Sequence, residues 1–500
     1  MKKYIVSAAM LLAAVSTYAQ QDQNTAADAV KFSMDNLTGT ARFRAMGGAF
    51  GAIGGDISAM MINPAGSAIF LYNTGTASVS SYNVNNKANY FGTQTKRNDN
   101  SFDLNQIGGV FVFNNSKEDA FMQKFTLGFD YENTNSFDNS IYTAGVNPTN
   151  SIDKYFLRYA NGIGTEGGIP LSTLNNANYE NLSYLDQQAY LGYNGFVFNP
   201  STDDGTNTSY VSNVPQGGNY FQDSYNSTTG YNSKIALNFA AQLKQRIFVG
   251  ANINVHITDL INTTSFYEDT GNAVNDELQS LQFDTERYTY GGGVSFDVGA
   301  IVKATENLRV GLAYQTPTWL RLQDDITQRV ISTNGGVTTY TDPGITMTSD
   351  DYTIKTPGKW TGSAAYVFGK NALLSVDYSI KDYSNTKYSS ARYSGLNTEL
   401  ANTLDVAGEL RVGGEYRIKA FSLRGGYRYV QSPYKNGTTI GDLTGYSGGV
   451  GYSFGGSRID LAYSWYQRKS DVSLFTPGLT DAARVQTTNN NIVLSYTLDL

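Results

Sequence analysis

The chain has 500 residues, no cysteine, a single histidine (His256), 10 prolines beside 51 glycines and 37 tyrosines, and a formal net charge of −7. Those counts exclude a disulfide framework, a zinc-thiolate site and a multi-histidine metal centre, so no cofactor is expected; a Ser-His nucleophile would have to lie beside His256. The acidic balance gives no reason to expect nucleic acid as a partner. Aromatic residues at 13 % with a mean hydropathy of −0.33 suit a barrel with a polar lumen and aromatic girdles better than a bundle of membrane helices.

Residues 1–19 read as a secretory signal. Lys2 and Lys3 supply the charged region, Tyr4 to Val15 the apolar one, and Thr17-Tyr18-Ala19 a small-x-small cleavage site, so the mature chain is expected to start at Gln20 or Gln21. Any later crossing of a membrane must use strands, because no further stretch reaches about 20 apolar residues. Residues 20–38 are polar without a clear period and read as a mobile arm. Residues 39–70, GTARFRAMGGAFGAIGGDISAMMINPAGSAIF, are dense in Gly and Ala, sparse in charge and lack strand alternation. Together, residues 20–72 are expected to form an arm and a plug. Phe43, Met46, Phe50, Met60 and Met61 offer it an apolar lining, and Met adapts to irregular ligands. Pro64 fixes φ and biases Asn63 towards extended or turn geometry.

Residues 73–500 alternate with period two, as strands with one face to lipid and one to a lumen require. The pattern is clear at Phe125–Tyr131, Ile235–Leu243, Ile247–Ile257, Leu404–Ile418, Phe421–Tyr429 and Ile492–Leu500, and counting all such segments gives about fourteen. Tight connections such as Lys244–Arg246, Lys419-Ala420 and Gly455–Ser457 alternate with long ones, as short periplasmic turns alternate with outer loops. The long loop 134–229 is rich in aromatics and reads as an ordered cap over the pore mouth. The last strand resembles the C-terminal signature of outer-membrane proteins, although Leu500 stands where Phe is usual. The fold expected is all-β: a transmembrane antiparallel barrel of about 14 strands, plugged by an N-terminal hatch.

Arg44-Ala45-Met46-Gly47-Gly48-Ala49, then Asp56, then Asn63-Pro64-Ala65-Gly66, closely resembles the N-terminal motif of FadL-type transporters of long-chain fatty acids, a family that includes channels for aromatic hydrocarbons. The resemblance implies an outer-membrane channel for passive uptake of long-chain fatty acids or similar hydrophobic molecules. It also implies a hatch in which Asn63, Pro64 and Ala65 match the gating motif and Arg44 and Asp56 its flanks. It further implies release by hatch movement or through a wall opening at a strand kink, for which Gly108-Gly109 or Gly128 are the candidates. A monomer surrounded by outer-membrane lipid is expected. The alternatives are uptake of haem or aromatic hydrocarbons and, from another class, an adhesin or a lipid-acting enzyme.

Strand parity adds expectations about charge. Asp405, Glu409, Arg411, Glu415 and Arg417 should face the lumen, opposite lipid-facing Leu404, Val406, Leu410, Val412, Tyr416 and Ile418. Across the Lys419-Ala420 turn, Glu415 should meet Arg424 and Arg411 should meet Arg428. Two adjacent arginines need an anion. Glu409 is one choice, within a structural ladder that Asp377 and Asp460 would extend. A bound carboxylate head group held by Arg411 and Arg428 is the other. His256 shares the lumen parity of Asn252 and Asn254.

Overall fold

The computed structural model describes residues 24–117, 120–162, 167–215, 217–271 and 277–500. The signal-peptide expectation for residues 1–19 lies outside the described residues.

Fourteen strands close into one antiparallel barrel. They are β1 (Thr74–Tyr90), β2 (Thr93–Asn114), β3 (Met122–Ser136, resumed as Asn139–Asn147), β4 (Tyr220–Leu243), β5 (Ile247–Asp269) and β6 (Leu278–Lys303). Next come β7 (Leu308–Gln315 and Trp319–Asn334), β8 (Val337–Thr341, Met347–Thr348, Tyr352–Lys355 and Lys359–Phe368), β9 (Ala372–Asp382) and β10 (Val406–Ile418). The last are β11 (Phe421–Val430), β12 (Ile440–Phe454), β13 (Ser457–Ser473) and β14 (Ala482–Asp499). Pairing of β14 with β1, from Thr74↔Asp499 to Asn89↔Arg484, closes the ring.

The period-two pattern decides which way each strand faces. On β14, Ile492, Leu494 and Tyr496 are 45–52 % exposed, whereas Asn491, Val493 and Ser495 are at most 1 % exposed. Leu237 and Phe239 against Ala236, Asn238 and Ala240 repeat this on β4. Polar side chains face in and large apolar ones face out, the arrangement a bilayer imposes.

Three sequence expectations need correction. The supposed mobile arm carries an ordered helix, α1 (Ala26–Ser33), closed by a capping box in which Thr25 and Asp28 serve each other's backbone. Its Ala26, Ala29, Val30 and Phe32 are buried in the outer half of the lumen against Leu320, Tyr352, Ile354, Leu400 and others. Leu404 faces inward, fully buried in the same cluster, because the strand starts only at Val406 and Leu404 ends the helix Ser394–Thr403, bridging to Tyr434. Asp405 is exposed, just ahead of β10 where the wall meets water, whereas Arg417 keeps its lumen parity and bonds Glu415 at 2.7 Å at the inner mouth of the barrel.

The outer strand ends run further than alternation alone suggests. β7 and β8 join through a two-residue Gly335-Gly336 turn, both glycines at positive φ, where a long loop was expected. The 134–229 region holds the helices Asp153–Ala160, Leu171–Asn176 and Tyr184–Asn194 and a small sheet of Phe198–Pro200 with Tyr210–Ser212. They share a buried core with the outer ends of β5, β6 and β7 through Phe266, Phe283 and Val330.

Candidate functional site: the hatch and the cavity above it

Residues 39–70 fill the inner half of the lumen. They fold as the short helix α2 (Ala41–Ala45) and two 3-10 turns, Ile57–Met61 and Pro64–Ile69. Each turn is opened by a side-chain cap. Thr40 Oγ1 accepts from Phe43 N at 3.1 Å, Asp56 Oδ1 from Ser58 N at 3.1 Å, and Asn63 Oδ1 from Ala65 N at 3.2 Å. Pro64 occupies the first position of its turn, where no N–H is needed. Gly47 and Gly54 adopt positive φ and reverse the chain between these pieces.

Such short pieces leave many backbone carbonyls without an internal partner, and wall side chains supply the donors. Asn63 Nδ2 donates to Gly51 O at 2.8 Å and to Ala300 O of β6 at 3.1 Å. Asn238 of β4 donates to Pro64 O at 3.0 Å, Asn252 of β5 to Met60 O at 2.8 Å, and Gln315 of β7 to Met61 O at 3.0 Å. Arg309 donates to Ile53 O at 2.9 Å. The wall is bare where the hatch touches it. A methyl group on Gly299 would collide with Asn63 Oδ1, one on Gly250 with Pro64, and one on Gly413 or Gly426 with the Met46–Gly47 turn.

The sequence-derived residues divide into two groups. Arg44, Met46, Phe50, Asp56, Met60, Asn63, Pro64 and Ala65 are buried inside the hatch or against the wall. Arg44 donates to Ser80 at 3.4 Å and Ser464 at 3.2 Å, its guanidinium 5.5 Å from the centre of the Tyr82 ring, so it ties the hatch to β1 and β13. Phe43 and Met61 face a cavity of about 170 Å³ above the hatch. Phe32, Met34, Leu37 and Ile62 also line it, as do Glu132, Lys234, His256, Lys359, Lys381, Glu409, Arg411 and Arg428. His256 Nε2 lies 2.8 Å from Ser295 Oγ.

β10 pairs with β11 in the expected register, Glu415 opposite Arg424 and Arg411 opposite Arg428. Glu415 bonds Arg424 at 2.7 Å, Arg424 bonds Asp460 at 2.7 Å, and Arg428 bonds Glu409 at 2.7 Å, with Arg411 3.7 Å from the same carboxylate. Sequence reasoning missed the hatch's share. Arg42 bonds Glu415 at 2.9 Å and Gly55 O at 3.0 Å, so the ladder holds the plug. It also missed Asp35, whose two oxygens meet Lys359 at 3.0 Å and Lys381 at 3.1 Å. An acid on the arm facing inward lysines at Lys359 and Lys381 was visible, but nothing local joins residues that far apart.

The wall has one break beside the cavity. The β2–β3 ladder ends at Gln106↔Glu132, a residue of β2 bulges out opposite Ser78/Val79, and β3 slips register at Asn133/Asn135 before its interruption at 137–138. Further out, Asp99 of β2 accepts from Ser140 N at 2.8 Å and closes the gap. At the gap's β3 edge, Phe137 meets Phe32 of α1 edge-on at 6.3 Å. Gly108-Gly109 and Gly128, the candidate kink positions, lie instead within the paired stretch below the break.

Comparison with known proteins adds to this geometry. A family model described as "Outer membrane protein transport protein (OMPP1/FadL/TodX)" matches residues 240–499. A Pseudomonas aeruginosa FadL homologue of known structure is similar in fold, with a TM-score of 0.57 at 14 % identity over 93 % of this chain and 99 % of that one. The Pseudomonas putida toluene transporter TodX is similar with a TM-score of 0.51 at 15 % identity, again over 93 % and 99 %. No curated protein matches the chain in sequence.

Two outcomes follow for the hatch. Glu415→Gln leaves Arg42 and Arg424 without their shared carboxylate, and breaking such a buried pair costs about 3–5 kcal/mol. The variant should lose heat resistance in gel-mobility assays and expose residues 39–70 to protease. Gly299→Ala should unseat the Asn63-Pro64 turn without unfolding the barrel, read as raised single-channel conductance in planar bilayers with normal heat-modifiable mobility.

Proposed function

The chain belongs to the outer membrane protein transport protein family (OMPP1/FadL/TodX), and we propose that within it this protein passes long-chain fatty acids or similar hydrophobic molecules inward by passive diffusion, gated by the N-terminal hatch and the arm above it. It does so as a monomer in outer-membrane lipid, after removal of residues 1–19. The observation that carries the reading is the position of the cavity. It lies on the apolar hatch, with Phe43, Met61 and Ile62 as its floor, and reaches Glu132, Thr134 and Asn135, where the β2–β3 ladder has just ended.

A hydrophobic molecule arriving from the outer face would rest on that floor. It then has two ways out: down, by displacing the hatch, or sideways into lipid through the gap guarded by Phe32 and Phe137. The outer face of the gap is apolar, with Phe102 and Leu104 exposed, which suits release into a bilayer. The sideways route delivers an apolar solute to lipid rather than to water. In this reading Asn63, Pro64 and Ala65 hold the floor in place, and Arg44 and Asp56 brace it.

Replacing Asn63 or Pro64 with Ala should impair oleate uptake by whole cells while the barrel stays folded; normal uptake would leave the hatch as a plug with no part in transport. Phe137→Ala removes an edge-on aromatic pair worth about 0.5–1.5 kcal/mol. It should raise initial uptake rates about two- to tenfold, and unchanged rates would count against the lateral route.

A further inference from the structure

On the outside of the barrel, β13, β14, β1 and β2 are paired in unbroken register from Tyr463, Ile492, Ser81 and Phe102 to their outer ends. Residues that face outwards therefore stand side by side in rows across all four strands. Tyr463, Ile492 and Phe102 are exposed and mark the outer edge of the apolar band. The next two rows carry no charge. Asn490, Asn83 and Asn100 lie in the first, Asn85 and Asn98 in the second. Asn83 is their hub. It donates to Asn98 at 2.8 Å and to Asn100 at 2.6 Å, and accepts from Asn85 at 2.6 Å and from Asn490 at 3.3 Å. The row above them holds Lys469, Gln486, Lys87 and Lys96.

That row concentrates positive charge. Lys87 stands directly opposite Lys96, and Lys469 is two strands from Lys87, about 10 Å away. All three are exposed. Like charges directly opposite on a sheet are unfavourable unless an anion lies between them. Other exposed cations of the outer rim have one: Arg329 meets Asp284 at 2.8 Å, and Arg484, just above the lysines, meets Asp471 at 2.7 Å. Asp442 on the neighbouring β12 accepts from the Tyr429 hydroxyl at 2.6 Å and from Ser432 N at 2.8 Å. Among the described residues, none of the three lysines is paired with a carboxylate.

We propose that this face binds the phosphorylated glycolipid of the outer leaflet, its acyl chains along the apolar band, its sugar hydroxyls against the asparagine rows and its phosphates on Lys87, Lys96 and Lys469. The order of the rows carries the assignment. Three rows of two residues each span about 20 Å along a strand, or about 15 Å along the membrane normal at a tilt of about 40°. The lysine stems let the ammonium groups swing over part of that height. A side-chain amide both donates and accepts, which is the pattern a sugar hydroxyl presents. An ammonium group is a compact point charge that suits phosphate, and basic clusters at a membrane surface attract anionic lipid. A phospholipid without sugars carries its phosphate at the edge of the apolar band, below the lysines, and leaves the asparagine rows unmatched. The inference concerns the lipid around the barrel and is independent of what passes through the lumen.

The test titrates the full-length protein in detergent with three lipids and reads bound lipid by native mass spectrometry. The probes are a lipopolysaccharide carrying lipid A and inner-core phosphates, the same lipopolysaccharide after dephosphorylation, and phosphatidylglycerol. The unaltered protein should bind the phosphorylated form at least about tenfold more tightly than either of the others. Lys87→Gln, Lys96→Gln and Lys469→Gln should each weaken that binding about fivefold, with the heat-modifiable mobility of the barrel unchanged. Equal binding of the phosphorylated and dephosphorylated forms, or a folded triple variant that binds as the unaltered protein does, overturns the phosphate contacts. Equal affinity for phosphatidylglycerol reduces the row to general attraction for anionic lipid and overturns the glycolipid assignment. The comparison of lipids needs only the unaltered protein, so it decides the matter even where a variant fails to fold.

Discussion

The hydrogen bonds from lumen side chains to the hatch backbone are the constraint on which the rest of the structure depends. Residues 41–70 are apolar in their side chains but irregular in their backbone. Leaving buried carbonyls unpaired costs about 1–3 kcal/mol each. Asn238, Asn252, Arg309 and Gln315 meet that need from three different strands, β4, β5 and β7. The inward polarity of the wall is thus matched to the backbone of the plug rather than to its side chains. That is why a segment of Ala, Met and Phe can sit in a lumen of Asn, Ser and Arg. Its side chains form small clusters of their own, Phe43, Met46 and Phe50 in one and Ile57, Met60 and Met61 in another.

Buried charge plays two separate parts. The ladder of Arg42, Glu415, Arg424 and Asp460 is nearly sealed from water and includes a member from the hatch. Buried ion pairs add little net stability over apolar packing, but losing one partner is costly, so such a network fixes position. The Asp35 corner is open to the cavity on one side. An ion pair that water can reach is weaker and exchangeable. The same chemistry is sealed from water where it holds the plug and open to the cavity where it holds the connector.

The barrel was legible because its information is local. Alternation along each strand, and the short turns between them, need only neighbouring residues, and the pairing of Glu415 with Arg424 follows from counting back across Lys419-Ala420. The hatch motif was legible as a pattern, and Asn63 does cap the turn that Pro64 begins. What escaped was set by contacts between distant segments. α1 has the i, i+3, i+4 spacing of Ala26, Ala29 and Val30 and a capping box at Thr25 and Asp28, but eight residues make a helix only when something buries their apolar face. Here the barrel does so. The bare wall at Gly250, Gly299, Gly413 and Gly426 is likewise meaningless until the Asn63-Pro64 and Met46–Gly47 turns are placed against it.

The two boundaries of the cavity, the hatch below and the connector above, differ in what holds them. Moving the hatch downward undoes the wall-to-backbone bonds together, separates Arg42 from Glu415 and lifts Asn63 out of its seat at Gly299. Each loss leaves a buried polar group behind. Moving the connector at residues 34–36 breaks the Asp35 ion pairs that face the cavity, the bonds of Lys381 to Ser33 O, of Arg428 to Asp35 O and of Asn36 to Asn135, and shifts one aromatic contact at Phe137. A cavity of about 170 Å³ is small beside the roughly 300–1,000 Å³ of ordinary ligand pockets, so some part of its boundary has to yield before a long chain fits. The connector's bonds end on side chains that line the cavity, whereas those of the hatch are sealed beneath it. The plug at residues 39–70 is thus tied to the wall at more points than the short segment above it that joins α1 to the hatch.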